Sequence, residues 1–205
     1  MTPSQSPEPD LLRVFVSSSV YDQVERLDQI YAIMAGYGYE VWMSHAGTLP
    51  LDPTLSAFDA CLQGVEKCDI FLGIITGRYG SGIVGDGPSI LHQEILRAVD
   101  IDKTRFVLVH NDVVIARQLL KQYREPIKKG ELPFEDNPIL QDIRVLEMYE
   151  AAMGSAKPVE ERTGNWVQEF SSTDDIHRFL NAQFGDIERV RIFVHGTQEN
   201  GDSHE

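Results

Sequence analysis

Cysteines, basic side chains and long apolar runs are all scarce in this sequence. Two cysteines occur among the 205 residues, Cys61 and Cys68. They are seven positions apart, which in a helix corresponds to about 10 Å; this distance is too long for a disulfide, and we expect a reducing compartment. No apolar run approaches the length of a membrane span, and residues 1–10 lack the basic and apolar parts of a secretion signal. We therefore expect a cytoplasmic protein without membrane contact.

Positive charge is also in short supply. Lysine and arginine number 18 against 32 acidic residues, which makes the net charge −14. Because nucleic acids and anionic membranes repel such a surface, the charge argues against either as the main partner. A small ligand with a phosphate group remains compatible, since one arginine and a few backbone N–H groups can hold it.

Several catalytic and metal-binding motifs are missing. The six histidines show no HxxxH or HExxH spacing and the cysteines form no CxxC, so we expect no metal site. The sequence also lacks the GxSxG motif of many serine hydrolases and the glycine spacings of common phosphate-binding loops.

The chain instead alternates short apolar runs with longer helical patterns. Five runs are strand candidates: RVFVSSS at 13–19, YEVWMS at 39–44, DIFLGIITG at 69–77, RFVLVH at 105–110 and WVQEF at 166–170. Short connections between strands and helices favour right-handed βαβ units. The sequence therefore predicts an α/β fold with a doubly wound, mainly parallel five-stranded sheet and helices on both faces.

We predict a single domain over residues 11–195, with a core at 13–111 and a helical C-terminal extension at 112–195. Residues 1–10 and 196–205 are polar, and we expect disordered tails there. Besides the strand candidate at 166–170, the extension contains four predicted segments. These are a helix near 113–124, a helix over 137–154 capped by Asn137 and stopped by Gly154, a capped helix at 172–184, and RVRIFV at 189–194 as an edge strand or an association segment.

A glutamate lies on the apolar face of one predicted helix. In GPSILHQEILRAV, Ser89 is the predicted N-cap, and Leu91, Ile95 and Ala98 form an apolar stripe. Glu94 lies on that stripe, where a side chain faces the protein interior. The structural explanation is an ion pair with an arginine or a hydrogen bond that caps a loop N–H, and the functional explanation is a carboxylate that takes part in chemistry. His92 falls on a different helical face, and we expect it at the surface.

Polar residues follow the predicted strands, where ligands bind in open α/β sheets. They are Ser17, Ser18, Ser19 and Asp22 after the first strand, Ser44 and His45 after the second, Thr76 to Gly80 after the third, and Asn111 and Asp112 after the fourth. Each also has a purely structural explanation. The serines and Asp22 cap a helix, the glycines permit a loop, and Arg78 extends to solvent.

Taken together, these motifs resemble those of TIR-like domains catalogued mainly as a domain of unknown function. In that family the first strand ends in Ser-Ser, the third contains DIxxGIIGxRYG, and the next helix carries a serine and a glutamate. RVFVSSSVYD, DIFLGIITGRYG and the segment from Ser89 to Ala98 match this pattern in order over about residues 13–111. The resemblance implies a flavodoxin-like or TIR-like fold.

The resemblance also implies a function and a set of site residues. The wider group includes TIR domains that cleave NAD, and Glu94 is the position onto which their catalytic glutamate carries over. Ser17, Ser18 and Arg78 would then contact ribose or phosphate, as Ser89 would at the helix end. Asp22 and Tyr79 complete the expected nucleotide site, where Tyr79, Tyr21 or Phe15 would stack on the base. The family often has an acidic residue in place of His92, and no tryptophan flanks Glu94.

The implied function is hydrolysis or cyclisation of NAD, as a substrate and with no other cofactor, in bacterial antiphage defence. Self-association or an effector protein would accompany activity, as is common for TIR enzymes. Two alternatives stay open from the sequence. One is a non-catalytic module that binds a nucleotide or a protein, and the other is a nucleoside deoxyribosyltransferase.

Overall fold

The computed structural model describes residues 11–19, 23–83, 87–135, 137–162 and 165–201. The strands are β1 (Arg13–Ser18), β2 (Glu40–Trp42), β3 (Ile70–Ile75), β4 (Arg105–His110) and β5 (Asn165–Phe170). The helices are α1 (Val24–Gly36), α2 (Ala57–Lys67), α3 (Ile90–Asp100), α4 (Asn111–Leu119), α5 (Arg124–Lys128), α6 (Arg144–Ala152), α7 (Thr173–Phe184) and α8 (Ile187–Gly201), with a 3₁₀ turn at Val159–Glu161.

The five strands form one parallel sheet in the order β2-β1-β3-β4-β5. This is the strand order of flavodoxin-like folds, in which the chain reverses its direction of winding between β1 and β3. The expected doubly wound α/β fold with a five-stranded parallel sheet is therefore confirmed. Ligands in such sheets bind beyond the carboxyl ends of the strands at that reversal.

The sheet separates two hydrophobic layers. Successive residues of β1 alternate between them: Phe15 belongs to the layer beneath α2, α3 and α6, whereas Val14 and Val16 belong to the layer beneath α1, α7 and α8. Every residue of β3 is buried, as expected for a central strand covered on both faces. Burial on both faces explains why the sequence of β3 is continuously apolar.

The helices α1 and α3 differ in how much of their surface they bury. In α1, Leu27, Ile30 and Met34 are buried, whereas Val24 and Tyr31 are exposed. In α3, His92 is 6% exposed rather than at the surface. The expectation for His92 was wrong because helix α6 packs on α3 and widens its buried face beyond a single stripe.

The C-terminal extension departs from the sequence expectation in its boundaries. The helix expected near 113–124 is two helices, α4 and α5, joined by a turn. The helix expected from Asn137 begins at Arg144, because the Asn137 side chain instead accepts the N–H groups of Ile139 and Leu140 in a turn. Gly154 follows the helix with a φ of 62° and ends it as expected.

The segment RVRIFV is helical, so its prediction as an edge strand was wrong. It lies in α8, where Val190 and Val194 are buried four positions apart against the α1 and α7 layer. The helix continues to Gly201, past residue 196, where a tail was expected to begin.

Two other predicted segments of the extension are confirmed. WVQEF lies in β5, and the helix at 172–184 is α7, which Ser172 caps. In the described part of the chain, no helix is long and apolar enough to cross a membrane.

Candidate active site

A cavity of about 130 Å³ lies at the carboxyl end of β1, beside the point where the winding reverses. Four segments form its wall: the end of β1, the loop after β2, the loop after β3, and the first turns of α3. The residues are Phe15, Val16, Ser17, Ser18, Ser19, Ser44, His45, Gly80, Ser81, Ile90, Leu91 and Glu94. The fold therefore brings together chain segments separated by up to 79 positions around one small polar space.

Glu94 supplies the carboxyl group of this cavity. It lies in α3 between apolar neighbours, and the residue is 4% exposed. The Ser17 hydroxyl donates a hydrogen bond to its Oε2 atom. The carboxyl therefore meets the end of β1 directly, and the apolar stripe of α3 places it there by packing against the sheet.

Burial raises the pKa of Glu94 from 4.5 to about 7, although hydrogen bonds from Ser17 and Cys61 act in the opposite direction. Desolvation penalises the charged form of a carboxyl, whereas donated hydrogen bonds stabilise it. At neutral pH the group is therefore divided between its neutral and ionised forms. A carboxyl in this state is suited to chemistry in which it accepts a proton or stabilises a transient cation.

Cys61, on α2, is a second partner of the carboxyl. Its thiol hydrogen-bonds to Glu94 and also contacts the hydroxyl of Ser44. Burial and the neighbouring carboxyl raise the pKa of Cys61 to about 12, so it stays a neutral donor. Cys61 and Cys68 are both free and buried, as the sequence spacing indicates.

The N-terminus of α3 is closed by contacts within the protein. Ser89, wholly buried, donates from its hydroxyl to the Tyr79 carbonyl at 2.7 Å and accepts the N–H of His92. The Tyr79 hydroxyl lies 2.9 Å from Nδ1 of His92 and accepts the N–H of Ser89. Tyr79 is 3% exposed. These residues hold the helix start against the loop after β3.

The C-terminal extension braces the same loop. The Arg144 guanidinium lies 4.4 Å from the ring centroid of Tyr79 and pairs with Asp142. Gln141 donates its backbone N–H to the carbonyl of Gly77 at 2.8 Å. A Cβ atom at Gly77 would lie 1.8 Å from the Ile139 carbonyl oxygen, so this close approach requires glycine. The extension therefore stabilises one wall of the cavity from outside.

The structure divides the expected site residues into two groups. Ser17, Ser18 and Glu94 lie on the cavity wall. The described residues that line the cavity do not include the other three, Arg78, Tyr79 and Ser89.

The residues expected to stack on a base have different positions. Phe15 touches the cavity, but it is 1% exposed and stacks on Phe71. Tyr79 is buried behind the loop, and Asp22 and Tyr21 lie outside the described residues.

Four further wall residues are Ser19, Ser44, His45 and Ser81. The sequence placed the first three among the polar residues that follow β1 and β2 but assigned them no contact with a ligand. The contact between Cys61 and Glu94 left no signal in the sequence, because it depends on how α2 packs against α3. The described residues contain no group of three or more metal-ligating side chains.

Comparisons with known proteins place this geometry in context. The structure is similar to that of the CMP N-glycosidase BcmB from Clostridium botulinum, with 12% sequence identity and a TM-score of 0.44 over 83% of this chain and 98% of that one. No curated protein matches the sequence. The family described as "Domain of unknown function (DUF4062)" matches residues 13–184, which include the whole cavity wall and both hydrophobic layers up to α7. The chain belongs to this DUF4062 family.

Proposed function

We propose that this protein cleaves the N-glycosidic bond of nicotinamide nucleotides such as NAD, with Glu94 as the catalytic carboxylate. The observation that supports this function most directly is a buried glutamate opening on a hydroxyl-lined cavity at the strand ends. The resemblance to TIR enzymes assigns the same position to the group that works at the ribose. A role in antiphage defence and activation by self-association or a partner protein belong to the same proposal.

The chemistry requires an ionised carboxylate shielded from bulk water. As the bond between C1′ and the base nitrogen breaks, its electron pair leaves with the nicotinamide, which becomes neutral, and positive charge develops on the ribose. A carboxylate beneath the ring stabilises that charge or bonds to C1′. Water then forms the new bond to C1′ and loses its proton to Glu94 or solvent. Because nicotinamide is a good leaving group, no strong general acid is needed.

The surroundings of Glu94 suit this role. Its field is not dissipated by water because the residue is 4% exposed. Ser17 donates to Oε2 and fixes the orientation of the carboxyl group. Since the pKa of Glu94 is about 7, we expect activity to rise with pH through neutrality as the carboxylate forms.

The test measures the release of nicotinamide from NAD by chromatography. The reaction is run at high protein concentration to favour assembly. Wild type is compared with Glu94→Gln and with Glu66→Gln. Glu66 is an exposed glutamate on α2 that pairs with Arg97 away from the cavity. We expect release by wild type and Glu66→Gln but not by Glu94→Gln, and the co-product distinguishes ADP-ribose from a cyclic nucleotide. Release by Glu94→Gln at the wild-type rate, or none by wild type, would contradict the proposal.

A nucleotide-binding module is the second candidate. One observation favours it: Ser17 and Cys61 already satisfy the Glu94 carboxyl within the protein, as in a purely structural buried glutamate. Such a module would bind NAD without forming product, and Glu94→Gln would bind equally well. Deoxyribosyl transfer would instead appear as base exchange on a deoxynucleoside, with no action on NAD.

A further inference from the structure

Tyr79 attaches the start of helix α3 to the loop after β3. Its hydroxyl lies 2.9 Å from Nδ1 of His92 and accepts the N–H of Ser89, the N-cap of α3. Burial lowers the pKa of His92 and raises that of Tyr79, so at neutral pH the phenol stays protonated and donates to the neutral imidazole. The Ser89 hydroxyl donates to the Tyr79 carbonyl at 2.7 Å. Three hydrogen bonds therefore fix the first turn of α3 to this one residue.

The two segments that Tyr79 joins both belong to the cavity. Gly80 and Ser81, which follow Tyr79 in the chain, lie on the wall, and so does Ile90 in the first turn of α3. Glu94 lies one turn further along the same helix. Because α3 is continuous between these positions, a displacement of its first turn moves Glu94 as well. Tyr79 therefore sets the position of the carboxyl relative to the loop that faces it.

Arg144, the first residue of α6, in turn holds Tyr79. Its guanidinium lies 4.4 Å from the centroid of the Tyr79 ring, a close cation–π contact. Asp142 fixes the guanidinium by accepting from Nε at 3.0 Å and from Nη2 at 2.6 Å, and it also accepts the backbone N–H of Arg144 at 2.8 Å. A chain of direct contacts thus leads from α6 through Tyr79 to the helix that carries Glu94.

We infer that Arg144 is a positioning residue, which acts through Tyr79 to hold Glu94 in place at the cavity. This inference rests on the proposed function of Glu94 and deepens it. The C-terminal extension supplies none of the described wall residues, yet through Arg144 it takes part in the reaction. Because Arg144 does not line the described wall, its loss slows the reaction more than it weakens the binding of substrate.

A second arginine provides a matched control. Arg117, on α4, lies 5.9 Å from the centroid of the Tyr149 ring and pairs with Glu150 at 3.0 Å. It therefore makes the same two kinds of contact as Arg144, one with an aromatic ring and one with a carboxylate. Neither Arg117 nor its two partners lie on the described wall. Arg117→Ala thus removes a similar pair of contacts from the extension and leaves the path to Glu94 intact.

The first test measures kcat and KM for nicotinamide release from NAD by wild type, Arg144→Ala, Arg144→Lys and Arg117→Ala. We expect Arg144→Ala to lower kcat at least about tenfold, with a smaller change in KM, since a 1 Å misplacement of a reacting group costs about a hundredfold. Arg144→Lys keeps a cation beside the ring and should recover part of this loss, and Arg117→Ala should keep the wild-type kcat. A wild-type kcat in Arg144→Ala, or equal losses in both alanine variants, overturns the inference.

The second test needs no turnover. A titration followed by carboxyl ¹³C NMR measures the pKa of Glu94, whose resonance is identified by its absence from Glu94→Gln. Burial is the main cause that raises this pKa to about 7. A displaced helix start admits water, so the pKa should fall in Arg144→Ala and stay at the wild-type value in Arg117→Ala. An unchanged or higher pKa in Arg144→Ala overturns the inference.

The two tests separate this inference from the proposed function. If wild type releases no nicotinamide, the proposed function fails, and the pKa of Glu94 then decides whether Arg144 positions it. If release depends on Glu94 and Arg144→Ala behaves like Arg117→Ala, the inference is overturned while the proposed function stands. Should Arg144→Ala fail to fold, the milder Arg144→Lys takes its place in both tests, with the same directions expected.

Discussion

The buried carboxyl of Glu94 should cost the protein stability at neutral and alkaline pH. Its pKa is about 7 in the folded protein and 4.5 in an ordinary environment. The folded state therefore binds a proton more strongly than the unfolded state does between these values. By linkage, the contribution of this carboxyl to stability is most favourable below about pH 4.5, falls as pH rises toward 7, and levels off above it.

The size of this effect can be worked out from the same two values. A difference of about 2.5 pKa units corresponds to about 3 kcal/mol. Replacing the carboxyl by the neutral amide of similar shape, Glu94→Gln, removes this pH dependence. The substitution also changes the free energy of unfolding by an amount that does not depend on pH, because the amide forms different hydrogen bonds from those of the carboxyl. We therefore expect the free energy of unfolding of Glu94→Gln, relative to wild type, to rise by about 3 kcal/mol between pH 4 and pH 8.

Urea unfolding of both proteins across this pH range measures the difference, since it compares unfolding free energies under matched conditions. Glu66→Gln is the matched control, because the exposed Glu66 side chain should give a much smaller pH-dependent change. A constant difference between Glu94→Gln and wild type over pH 4 to 8 would refute the reasoning. So would a relative loss of stability with rising pH.

Two further substitutions test the surroundings of the carboxyl. Ser17→Ala removes a hydrogen bond that favours the ionised form of Glu94, so the rising limb of the activity–pH profile should move up by about one unit; an unmoved profile contradicts this role. Gly77→Ala places a methyl group against the Ile139 carbonyl and should lower stability by about 1–3 kcal/mol in thermal unfolding. Its control is Gly36→Ala, where no atom lies within 4 Å of the added methyl and stability should not fall; equal effects would contradict the close approach.

Sequence patterns predicted the sheet better than the extension. The five predicted runs are the five strands, and burial explains the central ones, most completely β3, whereas Trp166 of the edge strand β5 is exposed. The extension was harder to read, because local signals there have more than one structural outcome. Asn137 caps a turn instead of a helix, and RVRIFV contains apolar residues at spacings compatible with both a strand and a helix.

The site residues likewise differ in how well the sequence predicted them. Strand-end serines and a glutamate on an apolar stripe can be identified by periodicity alone, since helical spacing dictates which side chains share a face. Arg78, Tyr79 and Ser89 were selected from their position in a motif, and they do not occur on the described wall. For Tyr79 the reason is physical: its side chain contacts Arg144 and His92, which lie on the separate helices α6 and α3.

The sequence by itself therefore determined the α/β class, the parallel sheet, and the placement of Glu94 on an inward-facing helix surface, because these follow from local periodicity. Only the tertiary structure decided what surrounds that carboxyl. Ser17 and Cys61, 77 and 33 positions away, set its orientation and charge state. Burial, which raises the pKa of Glu94 to about 7, depends on how helices pack on the sheet and is not encoded in any short segment.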